Sequence, residues 1–226
     1  RTLDGLPVEP IEPGTVRDCR EFIKKYNEVE NFNVYGNERF IYQYISSKYP
    51  EVEVKFDTEK IKLTTIDIEV ASENGFPDVE SCAEEVLLIT LQDYATKQIR
   101  TWGRGPFNNK QDNVIYKGFD TEYQLLTDFI HWWMIEDNTP EVITGWNSKL
   151  YDIPYLCRRI DRILGEKLKK RMSPWGLVTE EETYISGRKH LSYDIGGVSQ
   201  LDYLDLYKKF TYKAQESYRL DYIASV

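Results

Sequence analysis

The chain has 226 residues, with 38 acidic side chains against 29 basic ones and a net charge of −9. That length suffices for one large domain, or for a full domain with a smaller partner. Apolar residues at 41% and aromatics at 14% exclude a disordered chain, and no apolar run is long enough for a membrane-spanning helix.

The N-terminal part reads as a small α-rich piece. Residues 1–9 carry charges and prolines in place of the apolar stretch of a signal peptide. Thr15, after Pro13-Gly14, is placed to cap a helix in which Val16, Cys19, Phe22, Ile23 and Tyr26 recur at helical spacing. A second helix is predicted around Phe40, Ile41, Tyr44 and Ile45, ending at Pro50. From Val52 to Val70 the period changes to two, with Ile66, Ile68 and Val70 on one face and Thr65, Asp67 and Glu69 on the other. A domain boundary is expected near Asp57, giving 1–57 and 58–226.

Asn74-Gly75 then opens a turn, and strands are predicted at Val86 to Leu91, Ile99 to Trp102 and Val114 to Tyr116. Asp120 is the expected N-cap of a helix with the stripe Tyr123, Leu126, Phe129, Ile130 and Trp133, and His131 belongs to its packed or surface positions. Val142 to Trp146 reads as a short buried strand, followed by a helix with Tyr155, Leu156, Arg159, Ile160 and Ile163. A hairpin is expected around Ser186-Gly187. Leu201 to Tyr207 and Tyr218 to Val226 close the chain, whose first residue is Arg1 and whose last falls in mid-pattern, as in a piece of a longer protein. This order describes a mixed α/β sheet flanked by helices. Cys19, Cys82 and Cys157 form neither a metal-binding pair nor a disulfide framework, and read as small buried hydrophobes in a reducing, cytoplasmic setting.

Two constellations stand out. In Asp67-Ile68-Glu69 the carboxylates share one strand face about 6.6 Å apart. Two anions side by side on a half-buried strand are costly unless something neutralises them, and Mg²⁺ or Mn²⁺ does so with oxygen ligands. A solvated strand face with chance charges is the alternative. The second is Asn147-Ser148-Lys149-Leu150-Tyr151-Asp152, directly after the buried strand, where α/β proteins place ligands. Here Asp152 is open to a plain N-cap role and Asn147 to a turn. The acidic balance argues against a basic surface that coats duplex DNA, but not against a nucleic-acid enzyme built on carboxylates.

Together these motifs resemble motifs I and II of the 3′→5′ proofreading exonuclease of family B DNA polymerases. The T-even-phage type is similar over Ile66 to Ser72 with Gly75-Phe76-Pro77, over Thr144 to Asn147 with Tyr151 to Tyr155, over Leu201 to Phe210, and over Ser217 to Ile223. What the resemblance implies is an RNase H-like (DnaQ-like) exonuclease domain after part of a polymerase N-terminal domain. It implies two-metal hydrolysis of the 3′-terminal phosphodiester with two Mg²⁺ or Mn²⁺ ions. Asp67 would bridge both ions, Glu69 would bind the nucleophile-side ion, and Asp152 would hold the second. Phe76 would stack on the 3′-terminal base, with Asn147 and Tyr151 also facing DNA. The hairpin sits where phage enzymes part primer from template. The implied partners are the single-stranded primer 3′ end, the rest of the polymerase and replisome proteins such as a sliding clamp, in the cytoplasm of an infected bacterial host and with no membrane.

The family's third motif, Tyr-x-x-x-Asp, is expected beyond Val226. Tyr116 to Asp120 precedes motif II, Tyr218 to Asp221 has the wrong spacing, and His190 to Asp194 is one residue short of the His-type motif. No polymerase palm motif is present. An inert nucleic-acid-binding or structural module, and another RNase H-like nuclease, remain the alternatives.

Overall fold

The computed structural model describes all residues except 3, 36–39, 51, 52, 54, 56, 74, 186 and 226. The expectations for Val52, Asn74, Ser186 and Val226 therefore fall outside the described residues. The chain divides into two compact units, Arg1–Phe56 and Asp57–Val226.

The first unit carries helices α1 (Val16–Tyr26) and α2 (Phe40–Lys48). Thr15 caps α1 in a reciprocal box with Asp18: each accepts from the other's backbone amide, at 3.3 and 2.8 Å. Neither helix has a buried residue.

The second unit is a six-stranded sheet in the order β4-β3-β2-β1-β5-β8. Its strands are β1 (Leu63–Val70), β2 (Val86–Asp93), β3 (Ile99–Arg104), β4 (Val114–Phe119), β5 (Val142–Gly145) and β8 (Ser199–Asp202). β1, β2 and β3 form an antiparallel meander, whereas β4 runs parallel to β3. β5 and β8 run parallel to β1, so Val70, Gly145 and Asp202 end at the same edge of the sheet. β6 (Val178–Ile185) and β7 (Arg188–Ile195) form a separate hairpin, longer than its sequence signal. α3 (Glu122–Trp133) and α4 (Asp152–Leu164) supply the long helices. The short helices α5 (Glu166–Lys169), α6 (Tyr203–Phe210) and α7 (Leu220–Ile223) complete the unit.

The core gathers Ile66 and Ile68 of β1, Ile89 of β2, Trp102 of β3, Ile143 of β5, and the inner faces of α3 and α4. Cys82 and Cys157 are free and buried, as expected of small hydrophobes, whereas Cys19, also free, is only half-buried. α4 begins with Pro154 in its first turn, where a missing amide is harmless. It ends at Gly165, whose φ of +89° favours glycine.

Several expectations need correction. Of the alternating stretch before Val70, the described residues are strand only from Leu63, and a 3₁₀ turn at Thr58–Lys60 precedes it. Thr121, not Asp120, caps α3; its hydroxyl accepts from the Gln124 amide at 3.3 Å. The buried stripe includes Leu125, and Tyr123 faces outward. His131 lies on the exposed side, with Nδ1 2.7 Å from the Thr127 carbonyl. Val142 to Trp146 is strand only to Gly145.

Candidate active site at the carboxyl edge of the sheet

The burial of β1 alternates strictly from Thr64 to Glu69, with Ile66 and Ile68 inside and Asp67 and Glu69 outside. Both carboxylates lie past the last β5 partner, Thr65↔Thr144, and so stand at the open edge where β5 turns into the 146–151 loop. Gly145 makes that turn possible. A side chain there would meet the Ile66 carbonyl at 2.6 Å and Ser148 Cβ at 2.8 Å. Asn147 follows with φ +63°, a left-handed conformation that asparagine tolerates better than most residues.

Asp152 does not cap α4. Tyr151 holds the cap position and makes no side-chain cap bond. The Asp152 carboxylate instead turns to β1, where Oδ1 accepts from the Ile68 amide at 3.0 Å. Ile68 separates Asp67 from Glu69, so the third acid docks on the backbone between the other two.

The electrostatics follow from that placement. Asp152 is 4% exposed. Burial raises its pKa to about 7 against the opposing Ile68 hydrogen bond, and the charges of Asp67 and Asp202 add to the rise. Asp67 keeps solvent access, yet partial desolvation also lifts its pKa above the ordinary carboxylate value. The Tyr151 phenol is pushed up to about 12 by desolvation, then by the nearby Asp152 and Glu69 charges.

Asp202, at the end of β8, is a residue the sequence reading gave no role. Its buried carboxylate accepts from the Asn147 amide at 3.1 Å, the Lys149 amide at 3.0 Å and the Leu204 amide at 2.9 Å. It thus caps α6 and holds the 146–151 loop. An aspartate between a strand and an apolar helical period was the available signal.

Phe76 lies in the 71–85 loop between β1 and β2, with its ring 85% exposed. Its centroid is 5.3 Å from the Tyr151 ring, which is itself 5.8 Å from Tyr155. An exposed phenylalanine ring on a half-buried tyrosine thus stands beside the acidic edge. Asn147 contributes its backbone to the Asp202 bridge.

Among the described residues no three His, Cys, Asp or Glu side chains are grouped as a ready metal cage. The donor chemistry nevertheless fits a hard divalent cation, since a buried carboxyl shares charge with a second one and an adjacent cation would relieve both. No described helix is long and apolar enough to cross a membrane.

With this geometry in hand, the comparisons with known proteins are consistent. A family model described as DNA polymerase family B, exonuclease domain, matches residues 16–223. The DNA-directed DNA polymerase of Escherichia phage RB69 is 32% identical over an alignment covering 92% of this chain and 26% of the relative. That of Enterobacteria phage T4 is 31% identical, covering 99% of this chain and 27% of the relative. The DNA polymerase catalytic subunit of human herpesvirus 6A is 32% identical over 72% of this chain. The chain spans about a quarter of the length of the two phage relatives.

Proposed function

The chain belongs to the exonuclease-domain family of family B DNA polymerases, and from that premise we propose that it trims single-stranded DNA from the 3′ end as the proofreading part of a DNA-directed DNA polymerase. One observation carries the reading: the Asp152 carboxylate is docked on β1 between Asp67 and Glu69.

In this reading Asp67, Glu69 and Asp152 hold one or two Mg²⁺ or Mn²⁺ ions. The bound ions supply Lewis-acid activation of water and offset charge on the phosphate. Because no three acids among the described residues are grouped as a cage, a Mg²⁺ here would take one or two of these carboxylates together with water and substrate phosphate. The chain's own contribution is placement. Asp67 and Glu69 present oxygens from one strand face, and Asp152 closes the cluster from the start of α4. Asp202 fixes the 146–151 loop between them. Phe76 and Tyr151 offer ring faces to the terminal base, and stacking of this kind accepts any sequence. Asn147 sits at the loop's entry.

The remaining polymerase chain, primer DNA and a sliding clamp are the proposed partners, in the cytoplasm of a phage-infected bacterium. The test is a 3′-labelled and a 5′-labelled single-stranded oligonucleotide incubated with Mg²⁺ or Mn²⁺. We expect stepwise 3′ shortening that stops in EDTA and falls roughly 100-fold or more in Asp67→Ala. Binding without shortening would favour an inert module, and equal trimming of RNA and DNA ends another RNase H-like nuclease.

A further inference from the structure

We infer that Arg159 is a positioning residue for the 3′-terminal base: paired with Glu122, it fixes the 71–85 loop so that Phe76 stands beside the acidic edge. The inference rests on the proposed exonuclease reading, and concerns a residue about two helical turns along α4 from Asp152.

One stripe of α4 zips this loop to the helix. Tyr151, Tyr155, Arg158, Arg159 and Arg162 recur at the three- and four-residue spacing that shares a helix face. From the N-terminal end, Tyr151 meets the Phe76 ring. The Tyr155 hydroxyl donates to the Glu84 carbonyl at 2.7 Å. Arg159 Nη1 donates to the Cys82 and Ala83 carbonyls, both at 3.1 Å. Arg158 reaches the Glu80 carbonyl at 2.5 Å, and Arg162 the Cys82 carbonyl at 3.0 Å. Arg162 also reaches the Ser81 carbonyl at 3.3 Å, so the return leg of the loop is bound at every residue from 80 to 84.

Arg159 is the buried arginine of the set, at 5% exposure. Its Nε and Nη2 meet the two Glu122 oxygens at 2.6 and 2.7 Å, a bidentate fork. Glu122 Oε1 also accepts from the Val86 amide at 2.8 Å, where β2 begins. One ion pair thus joins α3, α4, the loop's return leg and the first residue of β2. On the outgoing leg Gly75, at φ +102°, has open space around it and Phe76 is exposed, while Pro77 beside it is buried. Phe76 is thus seated by Pro77 and by the anchored return leg together. A buried ion pair gains little net stability over apolar packing but strictly fixes geometry when its donors also hold backbone.

Arg159→Lys tests this, because lysine keeps the charge but cannot serve two carboxylate oxygens and two carbonyls together. The substrate is a single-stranded oligonucleotide with 2-aminopurine at its 3′ end. We expect KM to rise about 5-fold or more, a stacking contact's worth, with kcat within about 2-fold. Phe76→Ala should raise KM similarly, and the double variant should be no worse than Phe76→Ala alone. In EDTA, the 2-aminopurine fluorescence change on binding should shrink in both variants. Amide exchange should quicken over residues 73–79 and stay unchanged over 153–164. Glu122→Gln carries the same expectations should Arg159→Lys not fold. An unchanged KM, effects that multiply in the double variant, or lost stability with unaltered 2-aminopurine response would each overturn the inference. If the parent chain fails to shorten DNA, the exonuclease reading falls, while the fluorescence and exchange contrasts still decide the role of Arg159.

Discussion

Asp152 and Ile68 are 84 positions apart in sequence, and the carboxylate of the first accepts the backbone amide of the second at 3.0 Å. This bond ties the start of α4 to the middle of the acid-bearing segment of β1. It also makes the burial of Asp152 tolerable, since a hydrogen-bonded carboxylate is far cheaper to bury than a free one.

The same burial makes a pH-dependent prediction. Folding raises the Asp152 pKa from 3.8 to about 7, so the folded chain binds more protons than the unfolded one between those values. Stability from this group therefore falls as pH rises from about 4 to 7, and is level above that. Asp152→Asn removes the penalty while its carbonyl can still accept from Ile68. In EDTA, urea unfolding should show Asp152→Asn gaining on the parent as pH rises through this window, by at most about 4 kcal/mol at pH 8. A gap independent of pH would refute the assignment.

Mg²⁺ should act on the parent in the opposite, stabilising direction. At pH 8, millimolar Mg²⁺ is expected to raise the parent's melting temperature and to leave Asp67→Ala nearly unmoved, because only the folded acidic edge gathers the ligands. Equal shifts in both would place the ion elsewhere.

Glu122→Ala leaves Arg159 buried without its partner. Removing one member of a buried pair costs about 3–5 kcal/mol, so a matching loss is expected in denaturant unfolding. A loss under about 1 kcal/mol would mean that the arginine finds other acceptors.

Gly145→Ala brings a Cβ to 2.6 Å from the Ile66 carbonyl, a backbone atom that cannot step aside. Overpacking of this kind costs about 1–3 kcal/mol. Because the clash lies between β1 and the 146–151 loop, 3′ trimming should fall more than stability alone accounts for; assays at a temperature where the variant is fully folded separate the two.

Asp202→Ala deprives the Asn147, Lys149 and Leu204 amides of their shared acceptor. We expect a loss of about 1–3 kcal/mol, with faster amide exchange at residues 147–150. Unaltered exchange there would show that the loop is held by other means.

Local pattern determined much of this chain by itself. Alternation along β1 separated Ile66 and Ile68 from Asp67 and Glu69 without any tertiary information, since side-chain direction in a strand depends on parity alone. The Thr15 cap and the α1 stripe were likewise legible, because a capping box is closed within four residues. Tertiary structure decided what depends on long-range pairing. The β1 start moved to Leu63 because a strand extends only as far as its neighbours pair with it. Asp152 could be read as a cap from spacing, but its carboxylate faces an amide that no local rule brings near. Asp202 and Arg159 acquire their roles only when β8, α3 and the 71–85 loop close around them. A buried charge is defined by the groups that surround it, and those groups are distant in the chain and adjacent only in the fold.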